Sequence, residues 1–132
     1  VASQLPGKAV KSAKSFLIVN RYGLGSGYQA IESLDMAFAL ASFGQQVSLA
    51  YLDEGVFQLC QPEASATASP LVRHLKPRLK LLAAYGIKQI YVEQTSLVKR
   101  GLTSEDLVLA VQLVTSDQLR QIFAEQDQVL SL

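Results

Sequence analysis

The chain has few of the residues that make covalent or metal cross-links. Cys60 is its one cysteine and His74 its one histidine in 132 residues. A single thiol excludes an internal disulfide framework and fits a reducing compartment, so a cytoplasmic location is expected. One histidine and one cysteine form no metal-ligand cluster, and neither a metal nor another cofactor is expected. No apolar run approaches the roughly 18 residues that a membrane span needs. Val1–Lys14 has no apolar core, so it is not expected to act as a secretory signal. Acid is also absent from these fourteen residues, which carry Lys8, Lys11 and Lys14. The other 9 basic residues face all 11 acids, a balance of −2. A body of that sign is poorly suited to gripping a phosphate backbone, so no direct nucleic-acid contact is expected.

Apolar character is plentiful. Hydrophobic residues make up 49% of the chain, and the mean hydropathy is +0.21. The length suits one domain with a real core. So apolar a chain either buries its strands on both faces or covers extra surface with partners.

Residues 1–14 read as a flexible tail and 15–132 as the domain. Phe16–Val19 is a continuous apolar strand. A loop with three glycines follows, and Ser26 to Gln29 has capping-box spacing, so a helix is expected from there to about Phe43. Ala30, Ile31, Leu34, Ala37, Phe38 and Ala41 form one stripe of that helix. Met36, Leu40 and Phe43 form a second, more apolar surface than one sheet face requires. Gly44 ends the helix. Strand two runs from about Gln46 to Leu52 and stops at Asp53-Glu54-Gly55.

Residues 61–69 read as an exposed loop, with Ser69-Pro70 as cap and first residue of a helix. Pro77 argues for a break or a second start, and Gly86 closes that region. Lys88–Gln94 is the third strand. Thr95–Arg100 is a helical turn stopped by Gly101. Leu107–Thr115 reads as a fourth, apolar strand, Thr115–Glu125 as a helix, and Gln128–Leu132 as a last strand. Strands alternating with helices imply an α/β fold. The expected architecture is a single-domain, mainly parallel five-stranded sheet with helices on both faces, layered as in flavodoxin-like folds.

The end of strand two is the place in such a fold where sites concentrate. Gly23-Leu24-Gly25-Ser26-Gly27 sits where a dinucleotide fingerprint would, with Asp53 as the ribose acid. Tyr28 stands in place of the third glycine, however, and a turn into a capped helix explains the run. Asp53 and Glu54 could be an acid–base pair. More simply, Asp53 caps the following helix through the amides of Val56 or Phe57. Cys60 could carry sulfur, but no base lies beside it to lower its pKa. His74, among Arg73, Lys76 and Arg78, reads as part of an exposed basic helix face. Lys99-Arg100 reads as cations at a helix end.

Several phrases resemble the DsrE/DsrF/DsrH (TusBCD) family of sulfur-relay proteins, most closely its TusC/DsrF branch. They are Phe16–Val19, Tyr22-Gly23, Asp53–Leu59, Leu81–Ile87, Ser96–Leu102 and Asp127–Leu130. The resemblance covers 15–132. It implies a small α/β layer and a heterohexamer with sister subunits resembling TusD/DsrE and TusB/DsrH. Such a complex passes persulfide sulfur from a small donor protein to an acceptor, for wobble 2-thiouridine in tRNA or for sulfur oxidation. The sulfur-carrying subunit holds its cysteine shortly before the turn matching Lys99-Arg100-Gly101. Here Val92-Glu93-Gln94-Thr95 has no thiol, so no catalytic residue is carried over.

The expected role is therefore a non-catalytic structural subunit, with tRNA thiolation ahead of sulfur oxidation. Asp53, Glu54, Gly55, Phe57, Met36, Leu40 and Phe43 are the structural and interface candidates. Two alternatives stand beside it: Cys60 as a direct persulfide carrier, and a small-ligand module built on the glycine loop. Isolated from its sisters, the chain could form a homo-oligomer.

Overall fold

The computed structural model describes residues 13–25, 27–61 and 70–132. Within them lie five strands: β1 (Ser15–Asn20), β2 (Gln46–Tyr51), β3 (Gln89–Glu93), β4 (Gln112–Val114) and β5 (Gln128–Ser131). The helices are α1 (Gln29–Ser42), α2 (Pro70–Leu81), α3 (Gln94–Lys99) and α4 (Ser116–Ala124). The strands form one sheet in the order β4-β3-β2-β1-β5, and every pairing is parallel.

Period-two alternation in the central strands sends side chains to both faces of the sheet. Ile18, Val47, Leu49, Tyr51, Ile90 and Val92 join the larger core with residues of α1 and α2. Leu17, Val19, Ala50 and Leu52 point the other way and meet Val114 and Leu119, with Ile122 and Phe123 of α4 beside them. Helices thus cover both faces. The run Leu17–Val19 is apolar without a break because both of its sides are buried.

α1 begins at Gln29, and no side chain caps it; Ser26 lies outside the described residues. Its end is as expected, with Gly44 at φ +83°. Residues 1–12, most of the expected tail, and 62–69, most of the expected loop, also lie outside the described residues. Lys14 is already tied to the sheet: its amide donates to Gln45 Oε1 at 2.8 Å, and its carbonyl accepts from Gln46.

Two expectations are corrected. Pro77 neither breaks nor starts a helix but lies inside α2. It is exposed, so its ring meets no packed neighbour, and Leu75 and Leu79 on either side of it stay buried. The fourth strand is only Gln112–Val114. The apolar run before it has another use. Leu107 makes an antiparallel bridge to Cys60, the Val108 amide donates to the Leu59 carbonyl at 2.8 Å, and Val108, Leu109 and Val111 pack on the larger core as loop. A buried apolar run looks the same whether a ladder or a loop buries it.

Candidate functional site

The carboxyl ends of β1, β2 and β3 meet on one edge of the sheet. There Asn20, Asp53 and Glu93 each begin a crossover. The β2 crossover is a 3-10 segment, Asp53–Leu59, entered from extended backbone at Leu52. Asp53 takes a left-handed conformation, φ +54°, which aspartate tolerates better than most side chains. Two residues on, Gly55 lies flat against β1. A Cβ there would fall 1.9 Å from the Asn20 carbonyl oxygen, so only glycine fits. The same carbonyl accepts from the Leu52 amide at 3.1 Å.

Asp53 does not cap the segment, which has no side-chain cap. The left-handed turn carries its carboxylate outward, where Oδ2 pairs with Arg21 Nη1 at 3.3 Å. Both partners are half-exposed, so the pair adds no more than about 1 kcal/mol. Glu54 Oε2 accepts from Arg100 Nε at 2.6 Å, and Arg100 Nη1 also reaches the Ser96 carbonyl at 3.1 Å. Arg100 thus serves the end of α3, as its position suggests, and also ties α3 to the β2 turn.

Beneath these pairs is a part-buried polar chain centred on buried Ser96. Ser96 accepts from the Asp53 amide at 2.8 Å and donates to Glu93 Oε1 at 2.5 Å. Ser116 donates to Glu93 Oε2 at 2.9 Å. Glu93 thereby joins the starts of α3 and α4, and Ser96 joins both to the β2 turn. On the β1 side, Gln58 Nε2 donates to the Tyr22 carbonyl at 2.6 Å, and Asn20 Nδ2 to the Ala50 carbonyl at 3.4 Å. Gly23 rests against Glu54. Arg21, Ser96 and Ser116 went unnoticed in the sequence. Their only signal is position: each lies within a few residues of a strand's carboxyl end.

The other candidates lie elsewhere. Cys60 is buried, bridges to Leu107 and directs its thiol to the Val56 carbonyl at 3.8 Å. Burial pushes the thiol pKa up, and the Asp106 carboxylate pushes it further. Met36, Leu40 and Phe57 are half-buried against the protein's own core, whereas Phe43 is 81% exposed. His74 and Lys99 are exposed. Among the described residues no group of three His, Cys, Asp or Glu side chains could hold a metal ion. No described helix is long and apolar enough to cross a membrane. An open groove of about 370 Å³ lies at the opposite, amino end of β2 and β3, lined by Gln46, Ser48, Lys88 and Gln89, away from the glycine loop.

A fully parallel five-stranded α/β sheet, whose carboxyl rim is closed by polar bonds between its crossovers, defines the class. Within that class, the model of the DsrE/DsrF-like family matches residues 14–132, and the chain belongs to that family. It is 36% identical over 120 residues to a "Protein TusC homolog" of Pseudomonas aeruginosa, covering 91% of this chain and 99% of that one. It is 34% identical over 95 residues to the "Intracellular sulfur oxidation protein DsrF" of Allochromatium vinosum, covering 72% and 68%. Among solved structures, the ychN protein of E. coli superposes with a TM-score of 0.73 at 19% identity, covering 90% of this chain and 99% of that one. At that identity the likeness concerns the fold alone.

Proposed function

We propose that the chain is a non-catalytic structural subunit of a cytoplasmic sulfur-relay complex. By the resemblance described above, its sisters would be subunits of the TusD/DsrE and TusB/DsrH kinds. The complex would pass persulfide sulfur between small carrier proteins, for 2-thiouridine synthesis in tRNA. The match to the Pseudomonas aeruginosa TusC homologue over nearly its whole length supports the tRNA branch. The 34% identity to DsrF favours sulfur oxidation as the second reading.

The observation that carries the structural role is Glu93. It stands at the end of β3, in the neighbourhood where, by the resemblance, the sulfur-carrying sister would hold its cysteine. Its carboxylate is occupied by Ser96 and Ser116. A carboxylate cannot form a persulfide. The chain's one thiol, Cys60, is buried and held toward its protonated form, the opposite of what a carrier needs. This reading offers sister subunits two surfaces: the rim of Arg21, Asp53, Glu54 and Arg100 and, at the other end of the sheet, exposed Phe43.

The test is reconstitution. The chain is purified alone and with both sisters, and transfer of labelled persulfide sulfur is followed. The expected result is transfer only by the mixed complex, unchanged by Cys60→Ser. Acceptance and onward transfer by the isolated chain, at the rate of the complex, would refute the proposal. Loss of transfer in the correctly assembled Cys60→Ser complex would instead establish the carrier alternative.

A further inference from the structure

Helix α2 carries a pattern that the rim does not use. Its buried side is Leu71, Leu75 and Leu79, with Leu82 just beyond its end. Roughly opposite, Arg73, Lys76 and Lys80 stand at positions i, i+3 and i+7, one stripe about 10 Å long. All three are exposed, and none has an ion-pair partner among the described residues. Arg78, on the flank, is the one α2 cation with such a partner, Asp35 at 2.9 Å. The helix contains no acid at all.

Solvated helix faces ordinarily mix signs, because opposite charges three or four residues apart stabilise the helix and like charges destabilise it. Here Arg73/Lys76 and Lys76/Lys80 are both like pairs. The stripe also ends in apolar surface: Leu81 is 47% and Tyr85 43% exposed, and the Tyr85 ring lies 4.6 Å from that of Phe38.

We infer that this face of α2 docks an acidic, amphipathic segment of a partner protein. The occupant follows from complementarity. Three uncompensated cations in line call for carboxylates at helical spacing, and the apolar end at Leu81 and Tyr85 calls for an apolar side chain on the same segment. A phosphate backbone would satisfy the cations but leave exposed Leu81 unused. The inference does not depend on the sulfur-relay reading, since it uses no residue of the rim.

The test uses the full chain and a fluorescent amphipathic peptide of glutamate and leucine, about twelve residues long, read by anisotropy. Polyuridylate is the competing probe. The peptide is expected to bind, and more weakly as salt rises from about 50 to about 200 mM. The variant Arg73→Gln/Lys76→Gln/Lys80→Gln keeps helix propensity and should weaken binding about tenfold or more. Leu81→Ser/Tyr85→Ser should weaken it separately, about threefold or more. Circular dichroism confirms that both variants fold. Absent binding, or affinities unchanged in both variants, would overturn the inference. Tighter binding of polyuridylate, lost in the glutamine variant, would assign the face to nucleic acid instead. A dimer of the wild-type chain that the glutamine variant abolishes would assign it to a second copy.

Discussion

Gly55→Ala isolates one contact on which the rim depends. The added Cβ would lie 1.9 Å from the Asn20 carbonyl oxygen, 2.6 Å from its carbon and 3.1 Å from the Arg21 nitrogen. All three are backbone atoms, so no side chain can rotate away. Relief requires the β2 turn to move more than about 1 Å from β1, given a normal carbon–oxygen contact of about 3.3 Å. That movement stretches the Leu52–Asn20 hydrogen bond, 3.1 Å long, beyond bonding range. Forced overpacking costs about 1–3 kcal/mol, and a lost backbone bond about 1 kcal/mol more. The expected destabilisation is therefore about 3 kcal/mol, a large share of the stability of an ordinary domain. Urea unfolding followed by far-UV circular dichroism reads it as a lower midpoint, and heating as a melting temperature about 10 °C lower. Gly25→Ala is the control: nothing lies within 4 Å of its Cβ position, and its stability should change by less than about 0.5 kcal/mol. If Gly55→Ala unfolded at the control's midpoint, the close approach of turn and strand would be wrong, and with it the rim built on that approach.

Three further outcomes are expected. Ser96→Ala leaves the part-buried Asp53 amide without its acceptor and takes one donor from Glu93, and should destabilise by about 1–2 kcal/mol in the same urea assay; an unchanged midpoint would contradict the network. The Tyr51 hydroxyl is buried without a partner among the described residues, and burial pushes its pKa far above the ordinary value. Tyr51→Phe should therefore leave stability unchanged or raise it by up to about 1 kcal/mol. Above about pH 10 the unfolded wild-type tyrosine ionises first, so stability falls as pH rises, and the phenylalanine variant should lose that part of the fall. Cys60 should react with a thiol reagent about a hundredfold more slowly in the native chain than in urea at pH 8, since it is buried and its pKa is raised. Equal rates would show an accessible thiol.

How much of this the sequence disclosed depends on the distance over which each feature is encoded. The central strands announce themselves because burial on two faces leaves no polar position in Leu17–Val19. The α4 span was also legible, and in the structure Thr115 and Gln118 cap its start reciprocally across three residues. Leu107–Val111 misled because Leu107 is buried at its bridge to Cys60, forty-seven residues earlier in the chain, while Val108, Leu109 and Val111 are only half-buried as loop. Asp53 misled in another way. A carboxylate after a strand is a good cap only if its backbone is extended, and contact between Gly55 and β1 forces a left-handed turn there instead. The second stripe of α1 was also only partly a surface. Met36 and Leu40 turn toward the core because α2 packs beside α1, and no local pattern in 29–42 reports that neighbour.

The rim shows why a site can be placed from sequence when its chemistry cannot. Strand ends put Asp53, Glu54 and Glu93 on one edge, and three carboxylates on an edge suggest proton transfer. Their partners give them a structural use. Asp53 is held by Arg21, Glu54 by Arg100, and Glu93 by two serine hydroxyls. None of these partners is a neighbour in sequence except Ser96, three residues from Glu93. Asp53 and Glu54 each give one oxygen to an arginine, and Glu93 gives both of its oxygens to serines, so each carboxylate ties its own crossover to another. They join four crossovers into one surface, with Gly55 setting its depth against β1. A surface fixed by its own polar bonds loses little freedom when a partner settles on it, which favours docking. On the proposed reading, such a surface is what a structural subunit would contribute, and the sulfur chemistry would fall to a thiol on another chain.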